Sequence, residues 1–264
     1  MSLLAVAQFA PGDDRADNLA AINWYATKAA ERGASLVVFP EYSSFFEPQM
    51  GRASVEAAET LDGEFVRTLG DIAHRLGIYA VAGMLESAGE DRVSNTLVAL
   101  APSGELVAVY RKLHLYDAFG HRESEWVRAG DVEQPQTFSW EGFTVGMQTC
   151  YDIRFPEVTR YLVDAGADLV LVPAEWVRGP LKEHHWRTLV TARALENTIY
   201  VAAADHPAPT GVGNSMVVDP MGVEIATIGE EAGMAVAEVL PGRIQAVREV
   251  NPALALRRFG VHPH

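Results

Sequence analysis

Short apolar runs that stop at a chemically loaded residue recur along this chain, separated by stretches of helical period. That alternation restricts the fold to an α/β architecture. Leu36-Val37-Val38-Phe39 ends at Pro40-Glu41, and Leu169–Val172 runs on through Pro173-Ala174 to Glu175-Trp176. Runs of this kind read as buried strands, and open α/β sheets place their ligand-binding groups at the carboxyl ends of such strands.

The helices between them follow the same logic. Asp17–Arg32 carries apolar residues at Leu19, Ile22, Ala26, Ala29 and Ala30 and is stopped by Gly33. Phe65–Leu76 is helical up to Gly77, Glu157–Asp164 opens behind Pro156, and His184–Asn197 forms a further helix. Strands are expected at Leu3–Phe9, Ile78–Met84, Ser94–Leu100, Leu106–Tyr110, Phe143–Thr149 and Tyr200–Ala204. Ser215–Val218 pairs with Glu224–Ile228 across the turn at Asp219-Pro220-Met221-Gly222. Two β-α-β halves with hairpins suggest two facing mixed sheets covered by helices. With 264 residues and no convincing linker, the chain reads as a single domain over 1–264, with 251–264 as a C-terminal tail.

Three separated segments carry the chemistry. Cys150, the only cysteine, stands where the strand Phe143–Thr149 ends and Tyr151-Asp152-Ile153-Arg154-Phe155-Pro156-Glu157 begins, a position that presents a thiol as a nucleophile. A lone intracellular cysteine is more often an inert buried thiol, so its company decides. Glu41 puts a carboxylate at the end of a buried strand. Lys112 follows the strand Leu106–Tyr110 and is one of just three lysines, with 28 and 182, among 21 basic residues. Thiolate, carboxylate and ammonium make a coherent hydrolytic set: nucleophile, proton acceptor and stabiliser of charge on a carbonyl oxygen.

Phe39-Pro40-Glu41, Tyr110-Arg111-Lys112-Leu113-His114-Leu115 and Cys150–Glu157 resemble, in order and spacing, the three signatures of the nitrilase superfamily, the carbon–nitrogen hydrolases. The likeness extends from Ala5–Phe9 through Asn95-Thr96, His185-Trp186 and Ala192–Asn197 to Ser215–Gly222. It implies a four-layer αββα sandwich with Glu41 as general base, Lys112 as oxyanion stabiliser and Cys150 as nucleophile. It also implies a second site glutamate, matched by Glu123, with Glu125 as the rival if the alignment slips by two. The Tyr151 backbone N–H is implied as a second oxyanion donor.

The reaction expected from this is hydrolysis of a non-peptide C–N bond of a small amide through a thioester, without cofactor or metal. Nitrile or N-carbamoyl hydrolysis, or an inactive small-molecule-binding homologue, are the alternatives. Tyr42, Glu175 and Trp176 are expected to shape the substrate pocket, with Phe45 and Phe46 as pocket wall or loop core. His114, between two leucines, is read as a hydrogen-bonded interior residue. The signatures look most like the Nit-type amidase branch, whose members act on amides of carboxylate-bearing acids. Glu175-Trp176 departs from the Ala-Phe common there, and a carboxylate near the pocket disfavours an anionic substrate, which leaves a neutral aliphatic amide open.

Other classes fit poorly. The local signature of papain-like enzymes and Gly-x-Ser-x-Gly are both missing, and Gly211-Val212-Gly213 lacks the third glycine of a dinucleotide site. A balance of 35 acidic and 21 basic residues, net −14, disfavours nucleic-acid and anionic-membrane binding. His184-His185 are adjacent, which is poor spacing for a metal. The start Met1-Ser2-Leu3-Leu4-Ala5 runs into Gln8 and Pro11 without a signal-peptide pattern, and a single cysteine suits a reducing compartment, so a cytoplasmic chain is expected. The tail holds Leu254, Leu256, Phe259 and Val261 with two arginines and no acid. It is expected to pack on the acidic body or at a homodimer interface.

Overall fold

A computed structural model of the chain describes residues 2–89 and 91–262. The first half runs β1 (Ser2–Gln8), α1 (Arg15–Glu31), β2 (Leu36–Val38), α2 (Arg52–Ala57), α3 (Glu64–Leu76), β3 (Tyr79–Ser87), β4 (Val93–Leu100) and β5 (Leu106–Arg111). The second half runs β6 (Phe138–Trp140), β7 (Phe143–Met147), α4 (Pro156–Asp164), β8 (Leu169–Pro173), α5 (Lys182–Asn197), β9 (Tyr200–Ala204), β10 (Met216–Val218), β11 (Glu224–Thr227), β12 (Gly233–Val239) and α6 (Pro241–Val250).

Local chemistry sets the helix ends. The Asp14 carboxylate accepts the N–H groups of Ala16 and Asp17, at 2.8 and 3.1 Å, and so caps α1. Gly77, at φ 66°, takes the left-handed conformation that ends α3.

The strands form two six-stranded mixed sheets, in the order β12-β1-β2-β3-β4-β5 and β11-β10-β9-β8-β7-β6. Each has a parallel centre, β1-β2-β3 in one and β7-β8-β9 in the other, and each is finished by antiparallel strands. Parallel neighbours need crossover helices, so α1 and α3 cover the outer face of one sheet while α4 and α5 cover the other. The inner faces meet in a layer containing Leu36, Val81, Trp140, Val145 and Leu171. A side chain of this size contributes about 1.5–3 kcal/mol when fully buried. This is the four-layer αββα sandwich.

The structure adds α2, β6, β12 and α6 to the elements expected from sequence. β12 is alanine-rich and gains its order by pairing with β1 from Ser2↔Val239 to Gln8↔Gly233, a contact between chain ends that no local pattern announces. A 3-10 turn, Cys150–Arg154, lies between the nucleophile strand and α4, which starts at Pro156 as expected. In the tail, Leu254 and Val261 are half-buried, Leu256 and Phe259 are 70% and 90% exposed, and Arg257 forms an ion pair with Asp164 of the body at 2.5 Å. No helix of the described residues is long and apolar enough to cross a membrane.

Candidate active site

Four strands deliver the site from their carboxyl ends: β2 leads to Glu41, β5 to Lys112, β7 to Cys150 and β8 to Glu175. Two of the connecting backbones are strained. Tyr42, at φ 58°, turns the chain sharply after Glu41, and Cys150 itself sits at φ 45°. Non-glycine residues held there need support from their surroundings and concentrate at functional sites. Part of that support is Gly83 on β3, where a Cβ would fall 2.7 Å from the Tyr42 nitrogen and 2.8 Å from the Glu41 Cα.

Glu41, Lys112 and Glu123 form one buried charge cluster. The Lys112 ammonium donates to Glu41 Oε1 at 2.9 Å and to both Glu123 oxygens, at 3.1 and 2.9 Å. The three side chains are 1%, 2% and 8% exposed for Glu41, Lys112 and Glu123. Asn95 on β4 adds its amide to Glu41 Oε1 at 2.6 Å and to Glu123 Oε1 at 3.1 Å, and Tyr42 donates its hydroxyl to Glu123 Oε1 at 2.6 Å. Glu125, the rival, stays outside this cluster: its side chain is 59% exposed and lies 3.9 Å from Arg122.

The surroundings separate the two glutamates. Burial pushes Glu41 up, and neighbouring Glu123 adds to that against the pull of Lys112. Burial also raises Glu123, but Lys112 and the Tyr42 hydroxyl outweigh it and hold Glu123 below the usual carboxylate range. Desolvation would discharge Lys112, yet its two carboxylates keep it well above an ordinary lysine. Glu123 is thus the anchored anion of the cluster and Glu41 the more basic carboxylate. The Cys150 thiol is pushed well up by burial and by Glu41, so it rests protonated and needs a base to become a nucleophile.

The main chain of Glu175 joins the two halves of the set. Its N–H donates to Glu41 Oε2 at 2.6 Å, and its carbonyl accepts the Cys150 thiol at 3.4 Å. Asp152, fully buried, ties the nucleophile turn to the segment after β5. It accepts the Tyr110 hydroxyl at 2.7 Å and the His114 backbone N–H at 2.9 Å, and its Oδ1 lies 2.8 Å from His114 Nδ1. His114 is half-buried and stacks on Phe155, with ring centroids 3.7 Å apart, so it braces the turn from beside the cluster. Arg193 on α5 grips the same turn through the Ile153 carbonyl, at 2.7 and 3.0 Å.

A cavity of about 710 Å³ opens onto these groups. Glu41, Lys112, Glu123 and Cys150 reach it, as do the expected pocket residues Tyr42, Tyr151, Glu175 and Trp176 and the aromatic pair Phe45 and Phe46. Tyr116 and Lys182 also line it, and neither stood out in the sequence. Sequence reading also passed over the role of Asn95, though a polar Asn95-Thr96 doublet inside an apolar strand was a usable signal. His206 was missed as well. It is fully buried just beyond β9 and its Nε2 meets the Glu41 carbonyl oxygen at 2.7 Å. Burial pushes His206 down to about 4, so it is neutral and donates that bond. The signal was Asp205-His206 at the end of an apolar strand, the same arrangement that marks Glu41. Among the described residues no cluster of His, Cys, Asp or Glu could hold a metal ion.

Residues 3–249 match the family model described as carbon-nitrogen hydrolase. The chain is 41% identical over 257 residues to a deaminated glutathione amidase of Escherichia coli O157:H7, covering 97% of each. It is 35% identical to a deaminated glutathione amidase of Synechocystis, covering 97% of this chain and 98% of that one. Among solved structures, the C. elegans NitFhit protein superposes with a TM-score of 0.91 at 28% identity, covering 100% of this chain and 67% of that one. An amidase from Nesterenkonia sp. superposes at 0.81 with 30% identity, covering 97% and 96%. A structure of the E41Q mutant of the amidase from Nesterenkonia sp. AN1 shows the result of Michael addition of acrylamide at that protein's active-site cysteine. Sheet order, the buried Glu–Lys–Glu cluster beside a strained cysteine and the match along nearly the whole chain agree, and the chain belongs to the carbon–nitrogen hydrolase family.

Proposed function

We propose that this protein is a cysteine-dependent amidase that hydrolyses a small amide to a carboxylic acid and ammonia through a thioester on Cys150. The observation that carries this reading is the Glu175 backbone, which touches both Glu41 and Cys150 and so holds the raised carboxylate of Glu41 and the protonated thiol against one cavity wall. In the first half-reaction Glu41 accepts the thiol proton as Sγ attacks the amide carbonyl carbon. Lys112 stabilises the oxyanion, with the Tyr151 N–H as the second donor. The tetrahedral adduct collapses, the C–N bond breaks, and the leaving nitrogen takes the proton from Glu41. In the second half-reaction Glu41 deprotonates water, the water oxygen attacks the thioester carbonyl, and the sulfur leaves and regains its proton. Glu123 keeps Lys112 charged and in place throughout.

The relatives named deaminated glutathione amidases make deaminated glutathione the first compound to assay, beside simple amides, nitriles and N-carbamoyl compounds. The decisive experiment is mass spectrometry of the wild-type protein quenched in acid during turnover of an amide. Accumulation of a species heavier by the acyl group on the peptide containing Cys150 supports the mechanism. Turnover by a folded Cys150→Ala protein sinks it. A homodimer and a reducing cytoplasmic setting complete the proposal, motivated by the exposed apolar tail and the single buried thiol.

A further inference from the structure

Trp176 follows directly on Glu175, and the two share one planar peptide unit, so the Glu175 carbonyl and the Trp176 N–H point in opposite directions and turn together. The carbonyl accepts the Cys150 thiol at 3.4 Å, and the N–H donates to Asp205 Oδ1 at 2.7 Å. Asp205 thus holds the far side of the peptide plane that faces the nucleophile. It is fully buried, and its other oxygen accepts the Val212 N–H at 3.1 Å. Asp205 is not among the residues that line the cavity.

The parallel ladder of β8 and β9 stops just short of this plane. Its last bond runs from the Ala174 N–H to the Ala204 carbonyl at 2.8 Å, and the next acceptor in register, the His206 carbonyl, is engaged by the Gly213 N–H at 2.9 Å. The Asp205 side chain supplies the acceptor that the ladder does not. Asp205 is itself anchored from the opposite sheet. Its N–H donates to Ser215 Oγ at 2.9 Å, and that hydroxyl donates at 2.6 Å to Oε1 of Gln8, fully buried at the end of β1. A buried N–H left without an acceptor is costly enough that its peptide turns toward any acceptor in reach. The Glu175 carbonyl would turn with it, away from the Cys150 sulfur.

We propose that Asp205 is a positioning residue for the reaction: by fixing the Glu175–Trp176 peptide, it holds the Cys150 thiol in the orientation from which Glu41 takes its proton. This rests on the amidase reading of the site and adds to it a residue that acts only through the main chain. The adjoining Glu175 N–H lies on Glu41 Oε2 at 2.6 Å, so base and nucleophile are both set from this short stretch of backbone. Displacing reacting groups by about 1 Å can cost roughly 10²-fold in rate even when the altered residue lies away from the chemistry.

The experiment compares Asp205→Val, which removes both acceptor oxygens, with Asp205→Asn, which keeps one oxygen for the Trp176 N–H. Ile22→Ala, in the fully buried contact of α1 with its sheet, controls for lost stability. Two readouts are taken: kcat and KM for an amide that the wild type hydrolyses, and the rate at which iodoacetamide alkylates Cys150. The second needs no turnover, and with a single cysteine in the chain it is read from the intact mass. Asp205→Val is expected to lower kcat at least about tenfold with KM within about threefold, and to slow alkylation at least about tenfold, while Asp205→Asn and Ile22→Ala stay within about threefold of wild type in both. An alkylation rate in Asp205→Val that matches wild type overturns the inference, as does equal impairment of Asp205→Asn or a matching loss in Ile22→Ala. If Asp205→Val does not fold, Asp205→Ser, whose hydroxyl stops one bond short of the Trp176 N–H, takes its place with the same outcomes. If the wild type turns over no amide while alkylation still slows in Asp205→Val, the amidase reading fails and the positioning of the thiol stands.

Discussion

Lys112→Met is the most informative single perturbation, because Lys112 is the sole cation in direct contact with the two buried carboxylates among the described residues. The change preserves volume and removes contacts of 2.9 Å to Glu41 and 2.9 Å to Glu123, at groups no more than 8% exposed. Removing one partner from a buried ionic set costs about 3–5 kcal/mol, since charge is left buried without compensation. With unfolding entropy of about 2 cal/mol/K per residue, a chain of this length loses roughly 5–9 °C of Tm at neutral pH.

The pH dependence distinguishes this cause from a packing defect. In the wild type, Glu123 lies below its unfolded value, so its stabilisation is present above that value and disappears as pH falls through the folded one. In Lys112→Met both carboxyls sit above their unfolded values, so their penalty is present at neutral pH and disappears as pH falls and they protonate. The deficit relative to wild type is thus expected to shrink between about pH 8 and pH 5. Adding Glu123→Gln should restore part of the loss, a non-additivity of more than about 1 kcal/mol. Thermal and denaturant unfolding at both pH values measure this. A deficit under 2 °C, one that grows on acidification, or strict additivity of the two substitutions refutes the electrostatic account.

Four further outcomes are expected. Cys150→Ala should stay folded and release no ammonia, and Cys150→Ser should lose at least about 10³-fold in kcat, because a hydroxyl is far harder to deprotonate with the same base; near-wild-type Cys150→Ser would contradict this. The kcat/KM profile should fall on its acid side at a pH above the ordinary carboxylate range, since Glu41 is raised and must be unprotonated to act; a rate flat down to pH 4.5 excludes Glu41 as the base. His206→Phe keeps ring packing on Phe46, 5.0 Å away, but strands the Glu41 carbonyl, so about 1–3 kcal/mol of stability and much of kcat should be lost with KM little changed, while His206→Gln restores part; equal behaviour of the two variants denies His206 a positioning role. Deleting residues after Asn251 should shift a dimer toward monomer in light scattering across concentrations, given Leu256 and Phe259 exposed by 70% and 90%; a monomeric parent refutes the dimer, and an unchanged dimer refutes the tail's part in it.

The sequence by itself determined the strand–helix alternation and where chemistry meets strand ends. An apolar run is buried wherever it folds, and the residue that terminates it emerges at the sheet edge; Glu41, Lys112, Cys150 and Glu175 were all legible for that reason. The Asp205-His206 pair obeyed the same rule and was readable, though less conspicuous, and Asn95 was readable as a polar residue inside an apolar strand. Tertiary structure alone decided what those ends do to one another. The choice between Glu123 and Glu125 turns on which loop carboxylate reaches an ammonium on another strand end, a contact no spacing encodes. The separation of Glu41 from Glu123 depends on which one Tyr42 also reaches. Glu175 contributes main-chain hydrogen bonds to Glu41 and Cys150, which its side-chain identity does not announce. Lys182 is unremarkable in its local sequence and becomes a buried cation against aromatic rings only when Tyr116 and Phe119 arrive from a distant segment to join its near neighbour Trp176. Burial and charge compensation are sums over neighbours in space, and a linear sequence states the neighbours along the chain.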